Sequence, residues 1–140
     1  MPSTETFRIP THRRHVPAAR HYVRKALADW GITDELADRA TLSANELVTN
    51  AVSHCRVPDA RVRVTLVLCR CELVLEVSDP DRDRLPVPRR PGPEEEGGRG
   101  LTLVGALADT WGHRQGPYTK TVWARFTLPP SETPHVLDRP

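Results

Sequence analysis

The sequence predicts a two-layer α/β (α+β) sandwich, a mixed, largely antiparallel sheet covered on one face by three helices. Three observations predict it. Apolar residues recur at spacings of three and four over 16–30 and again over 36–51, the mark of helices with one buried side. Between 61 and 78, two β-rich stretches separated by a short connection read as a hairpin. A third helical spacing and a final β-rich stretch, 121–128, follow a long segment with no periodicity.

At 140 residues the chain is expected to form one domain spanning 1–140, long enough for a single hydrophobic core. Charged residues at 27% and hydrophobic residues at 38% suit a globular chain rather than a disordered one. A net charge of +2 and scattered arginines without aromatic interleaving give no basic stripe, so direct nucleic-acid binding is not expected. No apolar run approaches the roughly 18 residues of a membrane-spanning helix, and Met1–Pro10 lacks the apolar stretch of a secretion signal. A cytoplasmic protein is the expectation. The three cysteines, Cys55, Cys69 and Cys71, form no CxxC pair. They read as free thiols in a reducing compartment rather than as a zinc set.

Phe7-Arg8-Ile9 reads as a short opening strand ended by Pro10. Val16, Ala19, Tyr22, Val23, Ala26, Leu27 and Trp30 line one side of the first helix, with Pro17 tolerated in its first turn and Gly31 as its stop. Tyr22 and Trp30 serve either the core or an interface to a partner or a second copy. Thr33 is the expected N-cap of the second helix, which runs to about His54 with Asp34 and Glu35 in its first turn. Val62, Val64, Leu66 and Leu68 alternate with their neighbours as a strand, and Cys69–Glu72 turns into a second strand over 73–78 that ends at Asp79.

Residues 80–98 carry five prolines' worth of interruption, from Pro80 to Pro93, and the run Glu94-Glu95-Glu96, so they read as a long loop. Leu101, Val104, Leu107, Ala108 and Trp111 then have helical spacing, with Gly112 as the expected close. A turn at Gly116-Pro117 leads into the last strand, and 129–140 reads as a frayed tail.

The chemistry centres on the second helix. Glu46 and Asn50 stand one helical turn apart on one face, beside an apolar side formed by Leu47, Val48 and Ala51. A carboxylate can take a proton, and a carboxamide oxygen can ligate a hard cation such as Mg²⁺. Alone, such a pair usually reads as a solvated face. Two further pieces keep it company. Asp79 is a carboxylate at a strand end, and Gly97-Gly98-Arg99-Gly100 opens into a helix, where free backbone N–H groups favour phosphate. A glycine-rich turn alone is commonly only a loop.

Taken together, these residues resemble the GHKL ATPase superfamily, the Bergerat nucleotide-binding fold, and within it the small branch of bacterial anti-sigma-factor serine/threonine kinases. Glu46-Leu47-Val48-Thr49-Asn50-Ala51 looks like the family's N box, and Asp79-Pro80-Asp81 stands where its first glycine box begins. Gly98-Arg99-Gly100-Leu101 is similar to the second glycine box, and Lys120-Thr121-Val122-Trp123 to the closing strand motif. The motifs fall in family order over about residues 6–128.

The resemblance implies ATP and Mg²⁺ as cofactors, Asn50 as the Mg²⁺ ligand and Glu46 as the general base towards an attacking hydroxyl. It implies Asp79 as acceptor of the adenine amino group with Thr121 supporting it, 82–97 as an ATP lid, and Gly98, Arg99, Gly100 and Leu101 around the phosphates. The implied partners are a small antagonist protein, phosphorylated on serine, and a sigma factor. Two positions depart from the pattern: Asp81 and Thr119 stand where glycines are usual. Asp81 would restrict the backbone and, pointing inward, repel phosphate.

A nucleotide-gated regulator that binds a partner without catalysis is the competing reading; retention of both Glu46 and Asn50 favours the enzyme. The catalytic domain of a sensor histidine kinase is a third, disfavoured because the short segment before the first helix leaves no room for a dimerisation helix pair.

Overall fold

The computed structural model describes residues 2–81 and 96–128, with the backbone alone for 96–100. Strand β1 (Ser3–Pro10) leads through a 3-10 turn at Arg13–His15 into helix α1 (Val16–Asp29) and helix α2 (Glu35–His54). The hairpin β2 (Arg61–Leu68) and β3 (Glu72–Asp79) follows, then helix α3 (Glu96–Leu107), β4 (Thr110–Gln115) and β5 (Lys120–Thr127). The five strands form one sheet in the order β1-β2-β3-β5-β4. Every pairing in it is antiparallel, so the parallel component expected of a mixed sheet is not found among the described strands.

Strand alternation sets the two faces of this sheet. Val62, Val64, Leu66 and Leu68 of β2, Leu73, Leu75 and Val77 of β3, and Val122, Ala124 and Phe126 of β5 point one way and are buried under the helices. Each fully buried Leu, Val or Phe contributes about 1.5–3 kcal/mol of transfer free energy. Helix α2 lies at the centre of the helical layer, packed on α1, α3, β2, β3 and β5. Its buried face is rich in alanine (Ala37, Ala40, Ala44, Ala51), so its backbone comes close to its neighbours.

The helix ends follow local chemistry. Pro17 sits in the first turn of α1, and Gly31 beyond its end has φ +82°, which glycine adopts without steric cost. Asp34, not Thr33, caps α2; its carboxylate accepts the Leu36 N–H at 3.1 Å. Asp caps as well as Thr, and its charge also favours the positive end of the helix dipole. The β2–β3 turn closes through Cys69 N–H to the Glu72 carbonyl at 2.8 Å. Trp30 packs partly buried against the core, whereas Tyr22 is 49% exposed and lies on Phe7 with ring centroids 5.0 Å apart.

Two elements differ from expectation. Strand β1 begins at Ser3 rather than Phe7, because an edge strand with one wet face tolerates Ser, Thr and Glu. More consequentially, the third helix ends at Leu107, and the residues read as its last turn form the edge strand β4. Asp109 redirects the chain. Its N–H donates to the Arg125 carbonyl at 2.9 Å and its carboxylate accepts the Thr127 N–H. Gly112 then sits mid-strand over the Trp123 ring rather than closing a helix. The expected tail, 129–140, and lid residues 82–95 lie outside the described residues. Among the described helices none is long and apolar enough to cross a membrane.

Candidate functional site

Helix α2 carries Glu46 and Asn50 in its C-terminal half. Its Leu47, Val48 and Ala51 are buried, which fixes its rotation and leaves Glu46 half-buried with Asn50 7% exposed. Among the described residues the Asn50 carboxamide makes no hydrogen bond. Its polar atoms are not among the fully enclosed ones, so they face solvent and are open to a group that arrives from outside. A hard cation such as Mg²⁺ with its phosphate ligands has the chemistry its oxygen would hold.

Glu46 has company. Its Oε1 accepts a hydrogen bond from Asn45 Nδ2 at 3.3 Å, and Asn45 Oδ1 accepts one from Arg20 Nη1 at 2.8 Å. Glu46 lines a cleft of about 480 Å³ with Arg13, Arg20, Asn45, Thr49 and Leu103, between the start of α1, α2 and α3. Asn50 and Asp79 lie outside its walls.

Asp79 ends β3 and is 2% exposed. Its Oδ1 accepts the Asp81 N–H at 2.8 Å, and its Oδ2 lies 3.5 Å from Lys120 Nζ. Burial pushes its pKa above the ordinary carboxylate value, against the Lys120 charge and the Asp81 N–H, which act the other way. Lys120 is directly opposite Asp79 in the β3–β5 register, hence on the same, helix-facing side. Thr121 pairs instead with Ser78; their hydroxyls are 2.7 Å apart and both side chains lie on the opposite side of the sheet. The residue that flanks the Asp79 carboxylate is therefore Lys120, not Thr121.

Asp81 does not point at open space. Arg56 holds it with Nε to Oδ2 and Nη2 to Oδ1, both at 2.8 Å, and with its backbone N–H to Oδ2 at 2.8 Å. Those bonds hold the Asp81 carboxyl well below the usual range. The charge that would oppose phosphate is thus already compensated.

The glycine-rich segment is placed differently from expectation. Gly98, Arg99 and Gly100 belong to the first turns of α3, which starts at Glu96, and Leu101 is 2% exposed and faces the core. What this segment offers an anion is the run of backbone N–H groups at a helix start. Lys120 and Arg56 were missed in the sequence. Lys120 was findable: it shares an alternation with Val122, Ala124 and Phe126, so a buried lysine there demanded a carboxylate opposite. Arg56 had no such signal, since its contact depends on where the helix end meets the chain leaving β3.

The fold and the order of these groups match a known family. Residues 9–126 fit the model of the histidine kinase-like ATPase domain, and the chain belongs to that family. Among solved structures, the RsbU and RsbW domains of Rv1364c from Mycobacterium tuberculosis share its fold, with a TM-score of 0.68 at 18% identity. That similarity covers 91% of this chain and 33% of the other, so the chain spans about a third of that protein's length. No curated protein sequence matches the chain.

Proposed function

We propose that this chain binds ATP with Mg²⁺ and acts as an anti-sigma-factor-type protein serine/threonine kinase in the control of transcription. The observation that carries the reading is the pairing on α2, one turn apart, of a carboxamide open to solvent and without a hydrogen bond among the described residues, Asn50, with a half-buried carboxylate, Glu46, that opens onto its own cleft. Phosphoryl transfer asks mainly for positioning, charge neutralisation and a placed base. Asn50 would hold the cation, which supplies neutralisation of phosphate charge. Asp79 accepts from the adenine amino group, and the N–H groups opening α3 bind the phosphates. Glu46 takes the proton from a serine hydroxyl of the partner protein as its oxygen forms the bond to the γ-phosphorus and the bond to the β-phosphate oxygen breaks, leaving ADP.

The partners proposed are a small antagonist protein that carries the serine and a sigma factor bound in the alternative state. The test is incubation with labelled ATP, Mg²⁺ and candidate antagonists, comparing wild type with Glu46→Ala and Asp79→Asn. Label should pass to serine with wild type, fail with Glu46→Ala despite retained ATP binding, and fail with Asp79→Asn through lost binding. ATP binding without transfer to any candidate would leave the non-catalytic, nucleotide-gated regulator in its place.

A further inference from the structure

Resting on the ATP-binding reading, we propose that Lys120 is the positioning residue that sets base preference: it holds Asp79 as an acceptor-only carboxylate, so that the site takes a 6-aminopurine nucleotide over a 6-oxopurine one. Lys120 and Asp79 are cross-strand neighbours, each 2% exposed, with Nζ 3.5 Å from Oδ2. The rest of the Lys120 face of β5 is apolar: Val122, Ala124 and Phe126 are all buried. An ammonium in such a place is costly unless a carboxylate answers it.

The dependence runs in both directions. Burial drives Asp79 towards its neutral form; Lys120 is the largest influence that opposes it, followed by the Asp81 N–H. Among the described residues, the other groups facing Asp79 do not replace Lys120. The Cys55 thiol at the end of α2 has its pKa raised by burial and is neutral, and the Asp81 carboxylate, itself repulsive to Asp79, is occupied by Arg56.

An ionised carboxylate only accepts hydrogen bonds, whereas a protonated one also donates. Adenine presents an amino donor at the purine 6-position, and hypoxanthine presents a carbonyl acceptor there. Ionised Asp79 therefore matches ATP and rejects ITP, and neutral Asp79 can donate to the ITP carbonyl.

The experiment measures ATP and ITP affinities of wild type and Lys120→Met from about pH 5 to about pH 8, between the titrations of the adenine N1 and of the hypoxanthine N1–H. The triphosphates titrate alike and cancel in the ratio. Wild type should prefer ATP by about tenfold or more near pH 8, since a hydrogen bond to a charged group is at stake, and the preference should shrink towards pH 5. In Lys120→Met the preference should collapse near neutrality and reappear only at higher pH. An unchanged ratio and unchanged pH profile in Lys120→Met overturn the proposal. Should that variant not fold, a wild-type ratio that stays flat across the same range overturns it alone. Wild type that binds neither nucleotide would bring down the ATP-binding reading, and this inference with it.

Discussion

Arg56 grips Asp81 at both carboxylate oxygens, Nε on Oδ2 and Nη2 on Oδ1, each at 2.8 Å. The pair ties the residue just past the end of α2 to the chain just past the end of β3. It makes a carboxylate tolerable at a position where a glycine is usual, because the side chain is turned onto a cation rather than towards a ligand.

Breaking this grip should cost stability in a pH-dependent way. The Asp81 pKa is depressed below its ordinary value of 3.8. Its contribution is therefore complete above that value and is lost as pH falls below it. The Arg56 side chain is 59% exposed, so solvent screens the pair and the effect is modest. Arg56→Gln should lower the unfolding midpoint at neutral pH by on the order of 5 °C. The gap from wild type should narrow as pH falls below about 4. Thermal melts at neutral and acid pH check this; a gap of constant size would mean that the ion pair is not its source.

Asn50 gives the opposite expectation. Its carboxamide makes no hydrogen bond among the described residues and its polar atoms face solvent, so the folded protein gains little from its polarity. Asn50→Leu, close in volume, should leave the nucleotide-free protein as stable as wild type or more stable by up to about 1 kcal/mol. The same change should abolish the extra stabilisation by ATP that depends on Mg²⁺. Denaturant unfolding with and without Mg–ATP separates the two effects. Clear destabilisation without nucleotide would show that Asn50 serves the fold.

The order of helices and strands, and most of their bounds, were legible because periodicity reports which face is buried. The stripe Val16, Ala19, Val23, Ala26, Leu27 and the alternation of β2 leave no second reading. β4 was not legible, since Trp111 continues the helical spacing of Leu101, Val104 and Leu107. What ends the helix is a long-range pairing of Asp109 with Arg125 and Thr127, invisible to a local pattern. The same limit applies to the site. Glu46 and Asn50 share one helix, so their spacing reveals them. Lys120 meets Asp79 only through the β3–β5 register, and a shift by one residue would have placed Thr121 there instead.

Gly112 tests the edge strand directly. A Cβ built there would come within 2.7 Å of Trp123 Cζ2, and the ring has Arg125 on it at 5.0 Å from the centroid. Gly112→Ala should therefore push Trp123 aside and destabilise the protein by about 1–3 kcal/mol. Tryptophan emission should shift as the ring gains exposure to water. A stable variant with unaltered emission would refute this account of β4 against β5.

Asn45 separates the positioning of Glu46, the proposed base, from the proposed binding of nucleotide. It receives Arg20 on its oxygen at 2.8 Å and gives its amide N–H to Glu46 Oε1 at 3.3 Å. That arrangement engages one carboxylate oxygen and leaves the other free for the proton transfer proposed above. Nothing in it reaches Asn50 or Asp79. Asn45→Ala should slow phosphoryl transfer severalfold at saturating ATP, because a base that wanders loses the alignment on which proximity effects depend. The ATP dissociation constant should stay at the wild-type value. Single-turnover rates, alongside equilibrium ATP binding, distinguish these outcomes. Equal losses in binding and in rate would point to a disturbed helix rather than a misplaced base.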